Sequence, residues 1–384
     1  MIDVTFVRHG RSCGNIVSSV DFSLRPFPKL DHPIITNLGV TQSILLGQHI
    51  INKQENYDAC YCSPSIRTIM TALFALRNMS YTNNKLIIHI NPYIIEENKL
   101  GKWYYKPLSL FVTDRQNHMV SPSNLRIMIG LVKQWLDSNW LLAYDDVMFE
   151  ELLISSNEEA LKKEHESLKV IIMKAKEKYE PELVNSAKEA IKNFKATLRT
   201  TKNESLKKFG ESRFLKGMHV DMTEYEKLYD SVKNEFTNGF ASVDKFLTLL
   251  KEHKHKHAIV FSHSNILKYA FKNMDWDEKL ESILDKDPSH LNKLFNTSAF
   301  KVELSTNTLT PYYPIVGSME RQKFDEAIKK YKERGEDIDD CKNKDLLNRA
   351  INKVDELPEF NSLVYTKYMK HKQKYIHLKS MVDI

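Results

Sequence analysis

Short apolar runs alternate with amphipathic helical patterns through the first hundred residues, and this alternation restricts the fold more than any other feature of the chain. Residues 4–7, 57–62 and 85–95 are rich in β-branched and aromatic side chains, which predicts three buried strands. Between them, residues 35–53 and 63–78 carry apolar side chains at helical spacing. This strand–helix order is typical of the α/β class, with a mostly parallel central sheet covered by helices on both faces.

The starts of the two helices carry local signals. Thr36 precedes the first periodic segment and is the predicted N-cap, since its hydroxyl can accept a backbone N–H of the first turn. Ser63 is the predicted N-cap of the second helix. Pro64 would then take the first helical position, where a missing N–H costs nothing.

The middle and the end of the chain differ in composition from this alternating part. Residues 135–214 are dense in Glu, Lys and Ala with apolar residues at helical spacing, which predicts a helical insertion and a candidate lid or cap. Alternation then returns and ends in a predicted hairpin at residues 299–315. We expect residues 1–134 and 215–317 to form one α/β domain, and residues 318–384 to form a charged, helical C-terminal extension.

Composition is that of a globular protein and excludes several classes. The chain has 384 residues, 42% of them hydrophobic and 28% charged, which excludes disordered and fibrous proteins. The net charge of +6 is mild, and the absence of a basic cluster with interleaved aromatics argues against nucleic acid as a partner. No apolar run is long enough to span a membrane, and no signal peptide precedes the first strand, so an intracellular, soluble protein is expected.

The four cysteines (Cys13, Cys60, Cys62 and Cys341) have no regular spacing. We therefore expect reduced thiols, with neither a disulfide framework nor a zinc site. The alternating run HKHKH before residue 258 offers imidazoles, but its lysines would repel a cation. No metal site and no cofactor are predicted.

Charged and imidazole side chains follow several of the predicted strands. Arg8 and His9 end the first strand, and Arg67 falls in the first turn of the helix after the second. Glu97 comes just after the third strand, and His263 ends the strand that begins near residue 257. Because the carboxyl ends of parallel strands meet at one edge of a sheet, these groups are expected in one cleft.

This set of groups suits phosphoryl transfer. A neutral imidazole is a competent nucleophile toward phosphorus, and planar guanidiniums can hold the negatively charged phosphoryl oxygens bidentately. A carboxylic acid can protonate the leaving oxygen and then, as a carboxylate, accept a proton from water. The residue types alone therefore favour a phosphate-transferring enzyme.

The spacing of these residues resembles the histidine phosphatase superfamily, in its phosphoglycerate mutase-like branch. The family pattern Arg-His-Gly-x-Ser, with an Asn three residues later, is similar to residues 8–15. The Leu-Thr-x-x-Gly-x-x-Gln helix start is similar to residues 35–42, and Ser-x-x-x-Arg-x-x-x-Thr to residues 63–71. Glu-x-x-x-Gly resembles residues 97–101, and the second histidine, in a His-Gly-Asn-like context, resembles residues 263–265. Five elements in order are far more specific than any one alone.

The resemblance implies roles for these residues. The implied catalytic set is Arg8, His9, Arg67, Glu97 and His263, and the candidate substrate-binding set is Arg11, Asn15, Ser264 and Asn265. In this scheme His9 is transiently phosphorylated and Glu97 acts as acid and then as base, although the neighbouring Glu96 stays open as the alternative. Arginines and a second imidazole would neutralise charge, so the resemblance implies no metal.

Phosphomonoester hydrolysis is the reaction that the sequence favours within this family. The phosphoglycerate mutases have an Arg and a Tyr soon after the catalytic Glu and a later Arg-Arg pair. Here Asn98 and Leu100 take the first two positions and no Arg-Arg pair exists. Mutase-type phosphotransfer and a catalytically retired binding or scaffold protein remain the alternatives. The expected partner is a small phosphorylated molecule, with a phosphoprotein and the oligomeric state left open, and with no membrane or nucleic acid.

Overall fold

The fold is built around one mixed sheet of seven strands with helices on both faces. The computed structural model describes residues 3–15, 32–77, 86–95, 119–138, 158–178, 181–204, 206–207, 218–235, 241–253, 255–264, 266–267, 296–306, 308–314 and 319–334, together with positions 341, 347, 350, 351, 353 and 354. The α/β class predicted from the strand–helix alternation is confirmed.

The sheet has the spatial order β4-β3-β2-β5-β1-β6-β7. Its strands are β1 (Asp3–Arg8), β2 (Ala59–Cys62), β3 (Leu86–Ile90), β4 (Met218–Asp221), β5 (His257–Ser262), β6 (Ala299–Glu303) and β7 (Thr308–Tyr313). The helices are α1 (Asn37–Asn52), α2 (Ile66–Leu76), α3 (Pro122–Ser138), α4 (Glu159–Lys178), α5 (Pro181–Arg199), α6 (Thr223–Glu235), α7 (Ala241–Glu252) and α8 (Met319–Arg334), with a 3₁₀ turn at Pro92–Ile94.

Five of the strands run parallel, and the last two form the predicted antiparallel hairpin. β1 pairs in parallel with β5 along its full length, and β5 pairs in parallel with β2. On its other side β1 pairs with β6 in the antiparallel sense. The carboxyl ends of β1, β5 and β2 therefore lie side by side, and the residues that precede β6 arrive at the same edge.

The core lies between this sheet and its helices. The inward residues of the central strands, among them Val4, Phe6, Ile259 and Phe261, are almost completely buried. Their apolar side chains form one continuous cluster with the buried faces of α1, α2, α3, α6 and α7. Burial of this apolar surface is the main term that holds the sheet edge, and hence the site, in place.

The prediction of a cap at Thr36 is confirmed, whereas that at Ser63 is wrong. The Thr36 hydroxyl accepts a hydrogen bond from the Gly39 N–H in the first turn of α1. Helix α2 begins at Ile66 with Ser65 as its N-cap residue. The Ser63 hydroxyl lies within 2.9 Å of the His263 Nε2 atom, so it serves a tertiary contact.

Helices α4 and α5 fall inside the predicted insertion and pack against each other. They share a separate apolar cluster that includes Leu168, Ile172, Ile191 and Phe194. His165 is buried in this cluster with its ring stacked on Phe194, and burial lowers the pKa of His165 to about 4. No helix in the described part of the chain is both long and apolar enough to cross a bilayer.

The C-terminal region packs on the main core and corrects the expectation for the cysteines. Leu347, Ile351 and Val354 are buried in the same cluster as the central sheet. Cys341 forms a disulfide with Cys13, 328 residues earlier in the chain. The expectation of four reduced thiols was therefore wrong, because nothing in the spacing of distant cysteines reveals that the fold brings them together.

Candidate active site

The carboxyl ends of three neighbouring strands bring two histidines together. His9 directly follows β1 and His263 directly follows β5, and both side chains are buried. Their ring centroids are 5.3 Å apart, with the ring planes inclined to each other by 61°. Because these strands are parallel neighbours, the positions at their ends are adjacent, as the sequence predicted.

A backbone carbonyl sets the orientation of the His9 ring. The Nδ1 atom of His9 lies 2.7 Å from the carbonyl oxygen of Gly10. A carbonyl oxygen only accepts hydrogen bonds, so Nδ1 is the nitrogen that carries the proton. The Nε2 atom of the neutral ring then presents its lone pair, and it accepts a hydrogen bond from the Arg67 Nε–H at 3.3 Å.

His263 is held between a hydroxyl and a guanidinium. The Arg67 Nη2 group lies 3.2 Å from His263 Nδ1, and the Ser63 hydroxyl lies 2.9 Å from Nε2. Since a guanidinium only donates, Nδ1 accepts and Nε2 carries the proton. Burial, followed by the positive charges of Arg67 and Arg8, holds the pKa of His263 well below its usual value.

Arg67 therefore connects the two imidazoles through their unprotonated nitrogens. It is the second residue of α2 and is half-buried in the cleft beyond β2. Arg8 is buried at the end of β1 and lies near enough for its charge to act on His263. Two cations next to two neutral rings, away from bulk water, form a site suited to an anion.

Close packing against α1 and α2 fixes the loop after His9. The Gly10 N–H donates to the Thr71 hydroxyl at 2.9 Å, and the Arg11 N–H donates to the Gln42 side-chain oxygen at 3.0 Å. At Gly39 a Cβ atom would lie 2.1 Å from the Arg11 carbonyl oxygen. Only glycine permits this approach of the helix to the loop.

Three of the four candidate substrate-binding residues lie in the described part of the chain. Asn15 lies in the loop that follows His9, where its Oδ1 atom accepts hydrogen bonds from the Ser12 N–H and hydroxyl, both at 3.0 Å. Ser264 is buried and has helical conformation directly after His263. Arg11 is half-buried, and its backbone carbonyl is bound by Thr36.

Glu97, Glu96 and Asn265 lie outside the described residues. The chain that leads to the two glutamates is fixed up to Ile95. The Ser262 hydroxyl, at the end of β5, donates to the Ile94 carbonyl oxygen at 2.9 Å. This hydrogen bond ties the segment after β3 to the same sheet edge.

Sequence reasoning missed the segment immediately before β6. The side-chain N–H₂ of Asn296 donates to the His9 carbonyl at 3.1 Å, and the Thr297 N–H donates to the carbonyls of Arg8 and His9. The predicted hairpin indicates this contact only once β1 is known to be the partner of β6. A hairpin strand that pairs antiparallel with the first strand must begin where that first strand ends, which is beside His9.

The matches in sequence to known proteins are short, and no family model matches the chain. An uncharacterized protein of Acanthamoeba polyphaga mimivirus is 34% identical over 116 residues, which is 30% of this chain and 19% of that protein. The ecdysteroid-phosphate phosphatase of Drosophila melanogaster is 42% identical over 57 residues, which is 15% of this chain and 8% of that protein. The chain thus aligns with less than a fifth of either relative.

Solved structures similar to this chain include phosphatases and a phosphoglycerate mutase. The ecdysone phosphate phosphatase of Bombix mori has a TM-score of 0.35 at 13% identity, over 83% of this chain and 96% of that one. The phosphoserine phosphatase of Entamoeba histolytica has a TM-score of 0.33 at 14% identity, over 83% and 99%. The phosphoglycerate mutase of Bacillus anthracis has a TM-score of 0.33 at 15% identity, over 84% and 96%. Because these TM-scores are low, a function for this chain must be argued from the geometry of its site.

Proposed function

We propose that this chain is a histidine phosphatase that hydrolyses a phosphomonoester through a phosphohistidine on His9. One observation carries the proposal: a single guanidinium, that of Arg67, binds the unprotonated nitrogens of two buried imidazoles. This arrangement presents a nucleophilic lone pair, a cation and a second polar ring to one small volume, as an in-line displacement at phosphorus needs.

Each described group has a role in the first step. The His9 Nε2 lone pair attacks phosphorus, and the bond between phosphorus and the leaving oxygen breaks. The guanidiniums of Arg67 and Arg8 bind the phosphoryl oxygens, whose negative charge is spread over the equatorial positions. A guanidinium has five N–H donors, so Arg67 can keep its Nη2 contact with His263 while its Nε–H turns from the His9 Nε2 lone pair to a phosphoryl oxygen and frees that lone pair for attack. Neutral His263, whose Nε2 proton faces Ser63, accepts the Arg67 hydrogen bond at Nδ1 and so helps to hold that guanidinium in the site.

Proton transfer is assigned to Glu97 through the resemblance of its motif to the family pattern. Its carboxylic acid gives a proton to the leaving oxygen in the first step. In the second step its carboxylate takes a proton from water as the water oxygen attacks phosphorus. The bond to His9 Nε2 then breaks and inorganic phosphate leaves, so that protons and charge balance over the cycle. This scheme needs no metal ion.

The similar proteins support the same class of reaction. Those with named activities include an ecdysteroid-phosphate phosphatase, a phosphoserine phosphatase and a phosphoglycerate mutase. We propose a small phosphorylated molecule as the substrate. Hydrolysis is preferred to mutase activity because the basic residues that mutases use to bind a phosphorylated acid are missing at the matching positions.

The test is hydrolysis of p-nitrophenyl phosphate between pH 5 and 8 in the presence of EDTA. We expect the wild type to be active and His9→Ala to lose at least 1,000-fold in kcat, the order of effect seen when a covalent nucleophile is removed. The matched control is His219→Ala, since His219 lies exposed on β4, and it should retain wild-type activity. A brief reaction with ³²P-labelled substrate, followed by alkaline quench, should leave label on the wild type alone.

Three results would overturn the proposal. Activity of the wild type that disappears in EDTA and returns with a divalent cation would show metal-dependent chemistry. Activity that persists in His9→Ala would show that His9 is not the nucleophile. A folded wild type that binds sulfate yet turns over no phosphomonoester would leave an oxyanion-binding protein in place of an enzyme.

A further inference from the structure

Residues 296–298 form hydrogen bonds with the backbone at the start of the loop that carries His9. The Arg8 N–H donates to the Ser298 carbonyl at 2.9 Å, and the Thr297 N–H donates to the carbonyls of Arg8 and His9 at 3.1 and 3.3 Å. The Asn296 side chain adds a bond to the His9 carbonyl at 3.1 Å. The main chain on both sides of the His9 ring is thus fixed by one short segment from the other end of the domain.

The same asparagine also reaches the side chain of Asn15. Its Nδ2 atom lies 3.3 Å from Asn15 Oδ1, which already accepts from the N–H and the hydroxyl of Ser12. Because three donors face this one atom, it must be the amide oxygen of Asn15 and not the amide nitrogen. The N–H₂ group is the opposite end of the Asn15 amide, and it is a donor, as an anion requires.

The backbone of this segment is strained. Thr297 has φ = 62°, is completely buried and is β-branched. A β-branched residue in the left-handed region is a real outlier that costs on the order of 1–3 kcal/mol, and such strain clusters at functional sites. This backbone conformation lets the Thr297 N–H donate to the carbonyls of Arg8 and His9 while the Asn296 side chain also reaches the His9 carbonyl.

We propose that Asn296 is a positioning residue for phosphoryl transfer, acting through Asn15 and the His9 backbone. This inference rests on the proposed function. Asn296 adds a third donor to the Asn15 oxygen and so holds that amide in the orientation in which its N–H₂ group is the donor for a phosphoryl oxygen, and it also holds the His9 carbonyl. The position requires a short side chain that donates two hydrogen bonds from one nitrogen. Aspartate has the same shape but would place a negative oxygen against two acceptors.

The test is a double-mutant cycle of Asn296→Ala and Asn15→Ala, measured by hydrolysis of p-nitrophenyl phosphate and by calorimetric binding of sulfate. We expect Asn296→Ala to lower kcat by about 10-fold with KM little changed, the size of effect expected for one positioned hydrogen bond. Asn296→Asp should lose more than Asn296→Ala. In the Asn15→Ala background, Asn296→Ala should have a further effect of less than about 3-fold, because its main route of action is then gone.

A control separates positioning from damage to the fold. Asn52→Ala, at the end of α1, also removes a side-chain hydrogen bond and should leave kcat unchanged. Equal kcat in wild type and Asn296→Ala, or fully additive losses in the cycle, would overturn the inference. If the wild type neither binds sulfate nor hydrolyses the ester, it is the proposed function that fails. A retained side-chain amide signal of Asn15 at an unshifted position in the Asn296→Ala NMR spectrum would also contradict the positioning role.

Discussion

Reduction of the bond between Cys13 and Cys341 should destabilise the whole domain. The disulfide closes a loop that spans 328 residues of sequence, nearly the entire chain. The chain-entropy relation gives about 6 kcal/mol for a loop of this size, while removal of native disulfides in practice costs about 2–5 kcal/mol. We therefore expect a loss of about 4 kcal/mol. With an unfolding entropy of about 2 cal/mol/K for each of 384 residues, this loss lowers Tm by about 5 °C.

The perturbation is Cys341→Ser, compared with wild type in the presence and absence of dithiothreitol by differential scanning fluorimetry. Both routes should lower Tm by the same amount, and the reductant should have no further effect on the variant. Cys60 and Cys62 supply an internal count, since both are free and buried, and burial raises the pKa of each thiol. Thiol titration of the unfolded protein should find two thiols before reduction and four after it.

Two results would contradict these expectations for the disulfide. Four titratable thiols in the unreduced, unfolded wild type would show that the bond does not form. Two thiols together with a Tm that reduction leaves unchanged within 1 °C would show that closure of the long loop contributes nothing measurable to stability.

Three further predictions follow from packing and charge. Gly39→Ala places a methyl group against the Arg11 carbonyl and should cut p-nitrophenyl phosphate turnover at least 10-fold. The control is Gly130→Ala, since a Cβ atom there meets nothing within 4 Å. This variant should leave turnover unchanged and raise the free energy of unfolding by up to about 1 kcal/mol. The depressed pKa of His165 means that the folded protein favours the neutral ring. The free energy of unfolding is therefore at its full value above pH 6.5 and falls by about 3 kcal/mol as the pH drops from 6.5 to about 4. Urea titrations at pH 7 and 4.5 should show this loss in wild type and not in His165→Phe. A bound dianion raises the pKa of His263 from its depressed value. Sulfate keeps the same charge between pH 7 and 5, so it should bind more tightly as the pH falls through this range. Calorimetry on His263→Asn should show no such pH dependence.

The parts of the fold that local signals control could be predicted from sequence. Apolar β-branched runs predicted every strand except β4, helical periodicity predicted α1 and α2, and Thr36 marked the start of α1. The meeting of His9 with His263 followed from one rule about parallel sheets, because each histidine directly follows its strand.

Contacts between distant segments could not be predicted in the same way. The bond between Cys13 and Cys341 depends on where the C-terminal helices pack, which no spacing rule gives. The hydroxyl of Ser63 had the local signature of a helix cap but was used by His263, because a buried imidazole N–H needs an acceptor. The role of Asn296 required knowing that β6 pairs with β1.

The position of β1 in the sheet also has a consequence for how the protein is made. β1 is the first strand of the chain, yet its two neighbours begin at residues 257 and 299. At about 5–20 residues per second, a nascent chain carries this apolar strand without a partner for on the order of 10–50 s. The loop that carries His9 cannot take its final form until β5 and β6 have been synthesised. The pairing that completes the candidate active site therefore also ends the period in which this apolar strand is open to aggregation.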